Sequence, residues 1–158
     1  MKLASSLRFS CLCAVVLLLT GCGAGTKLQP PTASVQQLQA LPNGQWQLTL
    51  RVENYSYDTA MRVYALDADL TLGGVNAGHV AVSPGLDIPA MSADTAAATI
   101  TPDAAARTAL ANAKGNAIAY ELKGHLSVGK GESGKSESFD LDGKGYLSPV
   151  PGVPNTWR

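Results

Sequence analysis

From Val35 onward, apolar and polar residues alternate along much of the chain, the period of a strand with one face in a core and the other in water. The clearest run sets Trp46, Leu48, Leu50 and Val52 against Gln47, Thr49, Arg51 and Glu53. Pro42-Asn43-Gly44-Gln45 in front of it predicts a hairpin turn. A second strand is predicted from Leu66, Ala68, Leu70 and Leu72 facing in and Asp67, Asp69 and Thr71 facing out, with Gly73-Gly74 letting the chain reverse. A third sets Ile118, Tyr120, Leu122, Leu126 and Val128 against Glu121, Lys123, His125 and Ser127. Gly124 falls on its apolar side and points to a bulge or a close approach of two backbones. Phe139 and Leu141, among Ser138, Asp140 and Asp142, form the last strong alternation, while residues 93–101, mostly Ala and Thr, are assigned to a strand by context.

One helix interrupts the strands. Thr101 can cap it, Pro102 suits its first position, and Asp103 complements the positive end of the helix dipole. Residues 104–113 have high helix propensity, and Gly115 stops them. With Leu110 as its only large apolar residue, this helix has little to bury and is expected to lie flat over an edge of the strands. About seven strands and one short helix predict a mainly β fold, an antiparallel two-sheet sandwich of immunoglobulin or fibronectin-III type.

The first residues obey a different rule. Lys2 and Arg8 precede an apolar run of nine residues from Cys11 to Leu19, too short for a bilayer span of about twenty residues, and small residues come after it. Leu19-Thr20-Gly21-Cys22 resembles the lipobox recognised by the lipoprotein signal peptidase. That resemblance implies cleavage before Cys22 and acylation of Cys22, giving a membrane anchor far stronger than a single myristoyl chain. Gly23, where an Asp would favour the inner membrane, implies the outer membrane, facing the periplasm. The expected organisation is a signal over residues 1–21, a lipidated tether over 22–32, one sandwich domain over 33–148 and a Pro-rich tail over 149–158.

Cleavage leaves 158 − 21 = 137 residues, room for one domain. Twelve basic residues become ten against twelve acidic, so no excess of cations supports nucleic-acid binding. Cys11 and Cys13 leave with the signal, so the mature chain holds a single cysteine and no internal disulfide.

Candidate chemistry is sparse. Gly129 to Ser136 fits the phosphate-loop pattern G-x-x-x-x-G-K-[ST], but the residues after it alternate like a strand, whereas phosphate binding needs a helix there. A hairpin loop is the expectation, and no nucleotide. Ser127 and Lys130 fit S-x-x-K, yet on a strand they face opposite sides. His79 reads as a loop histidine and His125 as a solvent-face strand histidine, neither at metal-ligand spacing from another His or Cys. Asp140-Leu141-Asp142-Gly143 resembles the start of a calcium loop but has Pro151 where the bidentate Glu belongs. Asp67 and Asp69 share a wet face and read as solvated carboxylates rather than an acid–base pair. No cofactor, metal or catalytic residue is expected.

The order of the strands resembles the late-embryogenesis-abundant type 2 family, also called the water-stress and hypersensitive-response (WHy) domain. The resemblance lies in Trp46-x-Leu48-x-Leu50-x-Val52-x-Asn54, with Tyr55 where the family has proline, and in residues 66–74 with Ala77-Gly78. It continues through Ile88-Pro89-Ala90, residues 120–126, Phe139 and Gly145-Tyr146-Leu147. It covers about residues 30–148 and implies a folded, non-enzymatic sandwich with a role in desiccation or stress protection of envelope components. An adaptor that docks an envelope transport or assembly complex, through a sheet edge or a patch around Tyr55, Tyr57 and Tyr64, is the alternative.

Overall fold

The alternating segments pair into two antiparallel sheets in the computed structural model, which describes residues 27–113, 115–131 and 135–158. Among the described residues the elements run β1 (Thr32–Ala40), β2 (Trp46–Asn54), β3 (Met61–Leu72), β4 (Val75–Val82), β5 (Leu86–Ile88), β6 (Ser92–Ile100), α1 (Ala104–Asn112), β7 (Ile118–Lys130), β8 (Ser136–Leu147) and β9 (Thr156–Trp157). One sheet has the order β6-β2-β1-β9. The other has β4-β3-β7-β8, with the short β5 alongside β3. The expected two-sheet sandwich with one short helix is therefore the fold, and the brief β5 and β9 carry the count past seven strands.

The inward residues read from the alternation form one core. Trp46, Leu48, Leu50 and Val52 from β2 meet Leu66, Ala68, Leu70 and Leu72 from β3 and Leu122, Leu126 and Val128 from β7, all buried. The weak strand at residues 93–101 holds as β6, with Ala96, Ala98 and Ile100 buried. Gly124 marks a close approach rather than a bulge: a Cβ there would lie 2.1 Å from the Asp67 carbonyl oxygen and 2.5 Å from the Ala68 Cα, so only glycine lets β7 pair with β3 in unbroken register at that point.

The irregularities lie elsewhere. The β1–β2 register skips Gln36, and beside that bulge the Val35 N–H turns across the sandwich to donate to the Tyr120 hydroxyl at 3.2 Å. Tyr120 is thus more than the apolar residue its alternation suggests, since its hydroxyl ties the two sheets together. The β3–β4 register skips Ala77, and the β3–β7 register skips Tyr64.

Three boundaries differ from the sequence expectation. The helix N-cap is Asp103, not Thr101; its backbone is extended and its side chain makes no capping bond, while Pro102 is buried in front of the helix. The helix rests its buried Ala106 and Leu110 on the β3–β4 end of the sandwich. Leu28 and Pro31, within the span assigned to the tether, are buried, because Leu28 belongs to the core. The Pro-rich tail also folds: β9 pairs with β1, the Pro149–Trp157 bridge closes a return hairpin, and Ser148 and Arg158 exchange backbone hydrogen bonds of 2.7 Å in both directions.

Candidate functional site

The outer face of the five-stranded sheet carries the charged residues that alternation turned outward. His79 lies on β4 rather than in a loop, opposite Asp69, with its Nδ1 2.9 Å from Asp69 and its Nε2 3.5 Å from Asp67. The Asp69 hydrogen bond, opposed by slight desolvation and helped by the Asp67 charge, raises the His79 pKa above its ordinary value. His125, exposed on β7 as expected, is 3.2 Å from Asp140. Lys123 lies 2.7 Å from Glu121, and Lys144 bridges Glu121 at 3.9 Å and Asp142 at 3.5 Å. The Lys123 contact holds Glu121 below the usual carboxylate range and Lys123 above the usual lysine value. Cations and anions alternate across strands and satisfy one another. Among the described residues no group of three His, Cys, Asp or Glu converges to hold a metal.

The segment with the phosphate-loop pattern joins β7 to β8. The element after it is a strand starting at Ser136, so no helix N-terminus is aimed at the loop. Ser127 and Lys130 sit three apart on β7, on opposite faces. Asp140 and Asp142 likewise belong to a strand, β8, and not to a calcium loop.

The end of the sandwich where the described chain begins is organised by Asn54. Its side-chain N–H groups donate to the carbonyls of Thr59 at 2.9 Å, Ile88 at 3.1 Å and Pro89 at 3.1 Å, and its Oδ1 accepts from the Ser56 N–H at 2.9 Å. Buried Ser56 then accepts from the Gln29 N–H at 3.0 Å through its hydroxyl, and from the Met91 N–H at 3.1 Å through its carbonyl. Tyr55, Tyr57 and Met91 flank this clasp and are 48%, 87% and 63% exposed. Tyr64 is not with them, because its ring covers Gly129 and its hydroxyl donates to the Gly131 carbonyl. Glu53 is held below the usual carboxylate range by the Tyr55 hydroxyl first, against desolvation, with help from Arg51 at 2.9 Å and Thr32.

A cleft of about 440 Å³ opens at the opposite end. Trp46, Leu41, Leu110, Ala111 and Trp157 give it apolar walls, and Arg107 is the only charged side chain lining it among the described residues. Four separate stretches build it: the β1–β2 turn, α1, the turn at Gly115, and the tail around Pro149, Asn155 and Trp157. Spacing along the sequence carries no sign of such a site. The expected lipid-attachment residue Cys22 and the recognition residues Leu19, Thr20 and Gly21 lie outside the described residues. No helix among the described residues is long and apolar enough to cross a membrane.

No family model matches the chain, and neither does any curated protein. Solved structures do match. The solution structure of AT1g01470 from Arabidopsis thaliana aligns with a TM-score of 0.53 at 16% identity, over 82% of this chain and 88% of that one. At that identity the likeness is one of fold. A crystal structure of a protein from Archaeoglobus fulgidus aligns with a TM-score of 0.46 at 11% identity, over 78% of this chain and 98% of that one.

Proposed function

We propose that the chain is a non-enzymatic lipoprotein of the bacterial envelope, anchored through acylated Cys22 in the outer membrane and facing the periplasm, where its sandwich protects envelope components against desiccation or a related stress. The observation that carries the reading is Leu19-Thr20-Gly21-Cys22 standing five residues before the described domain begins at Lys27. Five residues span at most about 17 Å, so a lipid on Cys22 would hold the Asn54 end of the sandwich near the bilayer surface. The self-neutralised charges of the sheet face agree with a binding or protective role. The stress role rests on the family resemblance in the strand pattern, and the fold shared with AT1g01470 is compatible with it.

Labelling cells with palmitate tests the anchor: the wild-type chain takes up label and the Cys22→Ala variant does not. Equal labelling of the two refutes the anchor. For the protective role, purified protein keeps a client enzyme active through drying better than albumin at equal mass, and equal protection refutes it.

The adaptor reading keeps one observation of its own, the exposed Tyr55, Tyr57 and Met91 around the point where the chain enters the sandwich. Crosslinking in intact cells that recovers lipid and no protein removes it.

A further inference from the structure

We propose that the cleft between α1, the β1–β2 turn and the C-terminal tail binds a single-chain amphiphile with an anionic headgroup, a long-chain carboxylate being the simplest example. Its volume of about 440 Å³ lies in the range of small-molecule sites. Its walls supply what an alkyl chain needs: Trp46, Trp157, Leu41 and Leu110 are apolar, and Ala111 leaves room beside them.

Charge selects the headgroup. Among the described residues Arg107 is the sole charged side chain lining the cleft, and no carboxylate among them forms an ion pair with it. A guanidinium offers a planar fork of donors that matches a carboxylate. A neutral apolar ligand would leave that cation without a role, and a cationic one would be repelled.

Backbone pairing argues against a peptide occupant. The groups around the rim are already used: Ala40 donates to the Asn155 carbonyl at 2.8 Å, Val150 to the Thr156 carbonyl at 2.9 Å, and Ser148 and Arg158 to each other. A peptide buried there would bring N–H and C=O groups that find few partners, whereas an alkyl chain brings none.

The chain's only two tryptophans both line this cleft, so their emission reports directly on its occupancy. The full chain, purified in the form cells produce and held in nanodiscs of zwitterionic phospholipid, is titrated with a bromine-labelled long-chain carboxylate, whose bromine quenches indole on contact. Saturable quenching is expected. Arg107→Gln weakens the carboxylate about ten- to a hundredfold, the loss expected for hydrogen bonds to a charged group, and leaves the matched bromoalkanol unaffected. Ala111→Phe, at an exposed helix position, fills the cleft without adding a tryptophan and abolishes saturable binding while thermal stability stays at the wild-type value. Quenching that rises linearly without saturation, or equal affinity for carboxylate and alkanol, overturns the proposal. So does saturable quenching that survives in Ala111→Phe. A chain without a lipid on Cys22 is titrated in the same way free in buffer, with the same outcomes, so the result is separate from that of the anchor.

Discussion

Asn54→Ala removes the hub of the clasp, and the size of its effect can be worked from proton counting. The amide carries two N–H protons. Three carbonyls, of Thr59, Ile88 and Pro89, lie 2.9 to 3.1 Å from its nitrogen, so one proton is shared, and the Ser56 N–H donates to Oδ1 at 2.9 Å. Three full bonds are therefore lost, at a net cost of about 1 kcal/mol each. The Ile88 bond is the one buried among the three donated bonds, and stranding that carbonyl adds about 1 kcal/mol more. A water entering the polar gap recovers part of this, so the expected loss is about 3 to 4 kcal/mol. Urea unfolding tracked by tryptophan emission measures it, with Trp46 buried at the far end of the same strand as a global reporter. Asn54→Asp is the sharper control, because it keeps the acceptor for Ser56 but sets a carboxylate oxygen against three carbonyl oxygens. That repulsion raises the folded-state pKa of the introduced carboxyl. A group raised in the folded state contributes its stability below the unfolded value and loses it as pH rises through the folded one. At neutral pH Asn54→Asp is therefore the less stable of the two variants, and the gap closes on acidification. A loss below about 1 kcal/mol for Asn54→Ala with an unchanged denaturant slope refutes the hub.

Two further predictions concern titrating groups. Tyr120→Phe leaves the Val35 N–H without its acceptor and costs about 1 to 2 kcal/mol at neutral pH. Burial raises the Tyr120 pKa, against the lowering effect of the Val35 hydrogen bond, so wild-type stability falls as pH rises past the ordinary tyrosine value of about 10, and the difference from Tyr120→Phe shrinks. Parallel alkaline unfolding profiles refute this. His79 titrates by NMR with its midpoint above the ordinary histidine value of about 6.5, and Asp69→Asn, removing the largest cause, lowers it. By the same sign rule any stability from the pair is present below the ordinary value and is lost as pH rises through the raised one. A midpoint unmoved by Asp69→Asn refutes the pairing.

The sheets are legible wherever alternation runs unbroken, as from Trp46 to Val52 and from Leu66 to Leu72, because a half-buried strand must repeat every two residues. Gly124 is legible too, since glycine on a core-facing position signals a neighbour's backbone. Sequence reading fails where the period breaks or contacts run long. The register skip at Ala77 shifts the phase inside β4, so residues 75–79 look like a loop and His79 reads as part of it. Leu28 and Trp157 stand alone among Gly, Pro and polar residues, with no period to mark them, yet one is in the core and the other packs against it. Asn54 can be read as closing a local turn onto Ser56, but its bonds to Ile88 and Pro89 cross more than thirty residues. The cleft is the least legible, because its four stretches meet only once the tail pairs with β1.

The positions of clasp and cleft give the molecule a polarity that bears on both proposals. β2 runs from Trp46 in the cleft to Asn54 in the clasp, nine residues and about 26 Å at roughly 3.3 Å per residue. With Cys22 acylated as proposed, the five residues from it to Lys27 would reach at most about 17 Å, and the chain would enter at the clasp. An upright sandwich then carries its cleft away from the bilayer, where an amphiphile arrives through the aqueous space or on a partner. Lowering the cleft to the headgroups requires the sandwich to lie down and press a sheet face against them. Should that face be the five-stranded sheet, the paired charges of Asp67, Asp69, His79, Glu121 and Lys123 would be exchanging water for lipid headgroups, with Tyr146 the one large exposed apolar side chain gained there among the described residues. Of the five large exposed apolar side chains among the described residues, Tyr55, Tyr57 and Met91 cluster instead at the clasp, whereas Tyr146 and Val153 stand apart, so burying apolar surface in the interface favours the upright seat.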